Sequence, residues 1–257
     1  MARLVLDDTA WNSSWRTRST AEKALLSLGL LVLAVTSPGP LVSLLLLGVS
    51  MAIALVFARV PVRGYLLALA GPASFVLLGA LVIAVHLGRT PVDAVWSWGP
   101  ISATRDSLSL AAQVTARSVA AFSALLLLAS TTPMTDVLSG LRRCRVPEVL
   151  IDIAGLIYRM LFSLLGAASA IMEAQRSRLG YASGRAARRS IGALGGAVLL
   201  QAWNRAHRLE AGLAGRGYSG SLRTLGAARP VSIPFVIASC LVLTTLAAAS
   251  ITWAVAR

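Results

Sequence analysis

Lysine is nearly missing from this chain: Lys23 is the single one, and the other 23 basic residues are arginines. A Walker A loop needs a lysine after its glycine-rich turn to reach the nucleotide phosphates, and Lys23 stands in no such context, which excludes ATP hydrolysis by that route. Histidine is as scarce. His86 and His207 lie on different segments with no HExxH, CxxC or carboxylate cluster beside them, so no metal site is expected. The ten acidic residues form none of the paired aspartate motifs with which membrane prenyl- or phosphotransferases hold Mg²⁺-diphosphate. Cys144 and Cys240 are too few and too far apart for a disulfide framework and read as small apolar residues. These absences argue against an enzyme, and neither a catalytic residue nor a cofactor is expected.

Apolar residues are what the chain has instead. With 56% hydrophobic and 13% charged residues over 257 positions and a mean hydropathy of +0.75, it carries more apolar surface than one soluble core hides, in long uncharged runs. The expected fold class is all-α: a polytopic membrane protein of about five transmembrane helices plus long amphipathic cytosolic helices. The net charge of +14 is read by position, as cytosolic retention of arginine-rich segments, with the lipid bilayer as partner and no nucleic acid.

The N-terminus lacks the basic start and small-residue cleavage site of a signal peptide and reads as a retained cytosolic tail. Ala24 to Thr36, the turn Ser37-Pro38-Gly39-Pro40 and Leu41 to Phe57 make a transmembrane hairpin whose first arm is short for the bilayer. A third run, Tyr65 to Leu87, carries Gly71-Pro72, which predicts a kink. The loop after it, with Arg89, Asp93, Trp96, Trp98, Arg105 and Asp106, sums to zero charge and suits the outer interface. The fourth run, Ser107 to Ser130, holds Arg117, an intramembrane charge expensive enough to need an inward-facing role. That role is either structural, bonded to carbonyls or to Gln113, or part of a substrate or gating path. A last span covers Val231 to Val255, placing the C-terminus outside.

Three regions follow: an N-terminal membrane domain over 1–130, a cytosolic domain over 131–230, and a final helix over 231–257. The middle region carries fourteen arginines against five acids. Its edge, Thr131-Thr132-Pro133, announces a short new helix, and Pro147 separates that helix from the next. Ile153 to Met172 is apolar enough for a hydropathy window, but arginine clusters flank it on both sides. It is therefore expected to lie on or under the inner leaflet, with Leu156, Met160, Leu164 and Ile171 facing lipid or another membrane protein. A second cytosolic helix is expected over roughly 190–215. Two stretches 38 positions apart, Gln175-Arg176-Ser177-Arg178-Leu179-Gly180-Tyr181 and Ala214-Gly215-Arg216-Gly217-Tyr218-Ser219-Gly220, repeat one theme: an arginine beside glycine and tyrosine after a helix-favouring run. Glycine there acts as a helix stop, and the arginine favours the negative end of the helix dipole.

Read in order, Thr131-Thr132-Pro133, Leu141-Arg142-Arg143-Cys144-Arg145-Val146-Pro147, Tyr158-Arg159-Met160-Leu161-Phe162, the Arg178 end and Gly215-Arg216-Gly217-Tyr218 form a series. It resembles the T component of energy-coupling factor (ECF) transporters, nearest the subgroup serving cobalt or nickel uptake. The resemblance covers mainly Ser107 to Leu225. It implies a scaffold in the bacterial cytoplasmic membrane that joins a membrane-embedded substrate-binding (S) subunit to two cytosolic ABC-type ATPase subunits, where the ATPase activity resides. Two helices of that family end in Ala-Arg-Gly-like triplets, each docking its arginine in a groove of one ATPase. Here the triplets are Ser177-Arg178-Leu179 and Gly215-Arg216-Gly217, and Leu179 is the larger departure. Leu156, Met160, Leu164 and Ile171 then fall where the S subunit is met. Two other classes stay open: a self-contained carrier using its own bundle, with Arg117 and Gly71-Pro72 as the site, and an inner-leaflet anchor acting by charge alone.

Overall fold

A computed structural model describes residues 5–87, 94–98, 101–217 and 231–255. The chain forms two compact units, one of Val5–Pro133 with Ala228–Arg257 and one built on Met134–Ala227. The second unit is thus an insertion between two parts of the first.

The first unit is a helix bundle. It comprises α1 (Val5–Asn12), α2 (Thr20–Val35), α3 (Pro40–Ala52, continued by a π-helical turn over Ile53–Phe57), α4 (Val62–Ala84), α5 (Arg105–Thr131) and α9 (Ile233–Val255). α5 is its axis and touches α2, α3 and α4. The reason is in its side chains: Ala116, Ala120, Ser123, Ala124 and Leu127 recur at helical spacing and are buried, and small residues let helices approach closely where lipid offers no hydrophobic drive. Around it pack Leu26, Leu30 and Ala34 of α2, Leu46 of α3 and Tyr65 of α4, and the Tyr65 hydroxyl meets Ser123 Oγ at 2.8 Å. The outward faces are apolar: Leu67, Phe75, Leu78 and Val82 of α4 and Ile237, Leu241 and Ile251 of α9 are exposed, as lipid-facing positions are.

Several expectations change here. The N-terminal segment is no loose tail: Ser13 Oγ and Ser14 Oγ donate to the carbonyls of Ala58 and Phe57, and Trp15 packs edge-to-face on Phe235. Pro72 lies inside α4, where a kink was expected, and the Ser74 hydroxyl donates to the Gly71 carbonyl beside it. The third apolar run ends as strand rather than helix. His86–Leu87 (β1), Ala94–Trp98 (β2) and Ile101–Thr104 (β3) form an antiparallel sheet in the order β1-β3-β2, with His86 opposite Ser102 and Trp98 opposite Ile101. Arg89 and Asp93 lie outside the described residues, as do Tyr218 to Pro230 and Arg257.

Two polar contacts set the heights of the helices. At one end Lys23 of α2 donates to the Thr131 carbonyl of α5; at the other, Arg117 Nη2 of α5 donates to the Ser37 carbonyl of the α2–α3 turn at 2.6 Å. The 14 residues from Arg117 to Thr131 rise about 21 Å at 1.5 Å each, short of the ~30 Å hydrocarbon layer. The α2–α3 turn therefore sits within membrane depth, which irregular backbone tolerates because protein covers it: Ser37 and Ser43 are buried and hydrogen-bonded to each other.

Among the described residues, five helices are long and apolar enough to cross a membrane: Pro40–Phe57, Val62–Ala84, Arg105–Thr131, Glu148–Ser177 and Ile233–Val255. The sequence reading also expected five, with a different membership. α2, of 16 residues, is too short by this measure, whereas the helix containing Ile153 to Met172, expected on or under the inner leaflet because of its charged flanks, has the length and apolarity to cross.

The inserted unit holds α6 (Met134–Arg143), α7 (Glu148–Ser177) and α8 (Gly184–Ala214). α8 begins six residues before its expected start because Ser183 caps it, accepting from the Ala186 N–H. α7 packs on both α6 and α8. Arg142 bonds Asp152 at 3.0 Å across the α6–α7 pair, and Gly155 faces Leu138.

Candidate functional site

The two repeated arginine ends fold into the same turn. At the first, the Leu179 N–H donates to the Arg176 carbonyl; at the second, 38 positions on, the Gly217 N–H donates to the Ala214 carbonyl. The third residue of each triplet is left-handed, Leu179 at φ 57° and Gly217 at φ 67°. Arg178 and Arg216 precede these residues, and both are exposed. The departure from the family triplet at Leu179 thus changes the side chain and keeps the backbone.

The first end is reinforced. The Gly180 N–H reaches back to the Gln175 carbonyl at 2.8 Å, the six-to-one bond that closes a Schellman turn. Gln175 Nε2 donates to the Ser190 carbonyl, Ser190 Oγ donates to the Gly180 carbonyl, and the Tyr181 hydroxyl donates to Gln175 Oε1. This ring ties the end of α7 to the first turns of α8. It leaves no room for a side chain at Gly180, where a Cβ would lie 2.7 Å from Ser190 Oγ and 2.8 Å from the Gln175 oxygen. A left-handed leucine costs about 1–2 kcal/mol, and glycine returns part of the gain through chain entropy. Leu179→Gly is accordingly expected to leave stability unchanged or raise it by up to about 1 kcal/mol, read as an equal or higher thermal midpoint in detergent, and Leu179→Val to lower that midpoint. The opposite ordering in a melting experiment would contradict the strained turn.

The two arginines are far apart. From Ser190, beside the first end, to Ala214 at the second, α8 is unbroken and rises about 36 Å. No single groove holds both.

The other expected site residues are placed as follows. Leu156, Met160, Leu164 and Ile171 are half-buried along α7. The row most open to a partner is a neighbouring one, Leu150, Ile153, Ile157 and Leu161, whose i, i+3, i+7 spacing was available in the sequence. On α8, Leu199, Leu200 and Trp203 are exposed too. Ser177 and Gly215 close their helices beside the arginines. Arg117 is half-buried against the Ser37 carbonyl, while Gln113 donates to the neighbouring Pro38 carbonyl, so the two side chains together hold the turn. Among the described residues no group of three or more His, Cys, Asp or Glu is placed to hold a metal. Sequence reasoning missed Glu22 and Lys23, adjacent charges that are 2% and 0% exposed. The only signal was their position, an acid and the lone lysine just ahead of an apolar run.

Helices of this length and outward apolarity define the class: a multi-pass membrane protein. The particular assignment comes from comparison with known proteins. The family described as cobalt transport protein, CbiQ, matches residues 12–225, and the chain belongs to that family. It is similar to the cobalt transport protein CbiQ of Rhodobacter capsulatus, with 41% identity over 239 residues covering 93% of each chain. Similarity extends to CbiQ of Salmonella typhimurium, 30% identical over 221 residues that cover 84% of this chain and 97% of the relative. A putative fused cobalt transport protein CbiMQ of Methanocorpusculum labreanum is 34% identical over 222 residues, 85% of this chain and 37% of the fused one.

Proposed function

We propose that this chain is the transmembrane coupling subunit of an ECF-type ABC importer for cobalt or nickel, passing ATP-driven motion of two cytosolic ATPase subunits to a membrane-embedded S subunit. The observation that carries this reading is the pair of exposed arginines, Arg178 and Arg216, each presented by the same turn at opposite ends of α8. A guanidinium fork at a helix end pairs with a carboxylate in a partner's groove. The spacing along α8 fits two grooves on two subunits. When the ATPases close on ATP, the two anchors are displaced relative to each other, and α7 and α8 act as rods. Their exposed apolar rows, Leu150, Ile153 and Ile157 on one and Leu199, Leu200 and Trp203 on the other, hand that motion to the S subunit, with Leu156, Met160, Leu164 and Ile171 at the margin of the contact. The unit 134–227 is then the cytosolic coupling domain and the remainder its membrane support. The fused relative adds support: its match to this chain leaves most of that polypeptide for other parts, as a scaffold working beside a fixed partner allows.

A self-contained carrier would need Arg117 for substrate; its Nη2 is engaged with the Ser37 carbonyl, while its buried Nε has no hydrogen-bond partner among the described residues. A cavity of about 630 Å³ in the bundle is lined by Trp15, Arg18, Glu22, Arg59 and Ser232, away from Arg117 and Pro72. Reconstitution distinguishes the two readings. Cobalt uptake into proteoliposomes is expected only when the chain is combined with the S subunit and both ATPases, and is expected to stop when the ATPases carry a Walker A lysine substitution. Uptake by this chain alone would overturn the scaffold in favour of the carrier.

A further inference from the structure

The inserted unit is joined to the bundle by two connections, leaving after Pro133 and returning at Ala228. Two consecutive residues in the first turn of α2 hold the bundle-side end of each. Lys23 Nζ donates to the carbonyl of Thr131 at 2.9 Å, two residues before the exit, where Thr131 and Thr132 are buried. The Glu22 carboxylate accepts from the backbone N–H of Ser232 and, at 3.3 Å, from its hydroxyl, just after the return. Successive side chains on a helix point about 100° apart, which is how neighbours reach different elements. The signs fit as well: the ammonium meets the C-terminal end of α5, and the carboxylate meets the N-terminal end of α9, each matching the local dipole. Arg18 completes the return side, donating to Ser232 Oγ at 3.2 Å, standing 4.0 Å from Glu22 and lying over the Phe235 ring.

We propose that Glu22 and Lys23 form a two-sided clamp that makes the two connections one fixed pivot, so that motion of the inserted unit is delivered to the bundle instead of being lost in slack chain. They are positioning residues; the proposal rests on the coupling reading for its role in transport, while the clamp itself does not. Each of the two buried charges ends on a backbone group at a helix terminus, the Thr131 carbonyl for Lys23 and the Ser232 N–H for Glu22, which offsets part of its desolvation.

The test uses the full complex in proteoliposomes and compares wild type with Glu22→Gln, Lys23→Met, Lys23→Arg and, as a buried control in the same bundle, Tyr65→Phe. Amide hydrogen exchange is followed in peptides covering 128–133 and 232–236, together with cobalt uptake per ATP hydrolysed. Exchange is expected to quicken roughly tenfold at 128–133 in Lys23→Met and at 232–236 in Glu22→Gln, each at its own connection. Uptake per ATP is expected to fall about 5-fold or more in both while the ATPases stay bound. Lys23→Arg, which keeps the charge and the donor, is expected to restore most of both, and Tyr65→Phe to change neither. Unchanged exchange at the two connections would overturn the clamp, and faster exchange with wild-type uptake per ATP would overturn its part in transport. If wild type does not hold the ATPases, the coupling reading fails and the clamp's role in transport with it, and the exchange results still decide whether the clamp exists.

Discussion

Replacing Arg178 and Arg216 together by alanine is expected to release both ATPases from this chain and to abolish uptake while leaving the bundle folded. Each guanidinium lies outside the packed core, exposed beyond the last turn of its helix, so its removal opens no cavity and orphans no partner among the described residues. What is lost is intermolecular. A charge-assisted pair in a shielded groove is worth about 1.5–3 kcal/mol, which is roughly 10- to 100-fold in affinity for each arginine. Because the two sites lie at opposite ends of α8, the single variants are expected to weaken the complex and the double variant to lose it, as for a ligand held at two linked points. Co-purification from co-expressed components checks this, with Arg188→Ala as the control for net charge. Equal retention in all variants would leave the two turns as ordinary helix ends and remove the support for coupling.

The second large effect is expected at Arg117, and it is of the opposite kind. Arg117→Met is expected to damage folding, with transport falling in proportion to the amount of folded protein. The guanidinium serves the Ser37 carbonyl inside the membrane, where water cannot replace it. Losing a charged hydrogen bond and stranding that acceptor costs about 1.5–3 kcal/mol, enough to lower a detergent melting midpoint by several degrees. Gln113→Leu, which removes the weaker 3.4 Å contact to Pro38, is expected to cost less. A variant of Arg117 that melts like wild type and fails only in uptake would place the residue on the substrate path instead.

The uneven legibility of this chain has physical causes. Helices α3, α4, α5 and α9 appear as apolar runs, since lipid imposes one composition on any segment of that length. The two arginine ends were visible because a helix stop is local: glycine, arginine and tyrosine within a few positions. That Leu179 adopts the left-handed conformation that Gly217 adopts in the second turn was not visible, because the preference of leucine points the other way and the ring of Gln175, Ser190 and Tyr181 holds the turn. α7 was placed under the leaflet by its flanking charges, although its length and apolarity qualify it to cross. The small sheet escaped notice because its strands are two to five residues long. Glu22 and Lys23 were hidden for a further reason: their partners lie 210 and 108 positions away, and no window along the sequence joins them.

The insertion of one unit within the other also imposes a schedule on biosynthesis. At about 5–20 residues per second, the ribosome needs roughly 5 to 20 seconds to pass from Pro133 to Ile233. Throughout that interval the first helices are already in the membrane without α9. Glu22 waits for Ser232, and the face of α2 at Gly29, which the Leu243 side chain will cover, is bare. A nascent chain of this kind is exposed to misassembly at a fixed point in its synthesis, and the arrival of α9 ends the exposure.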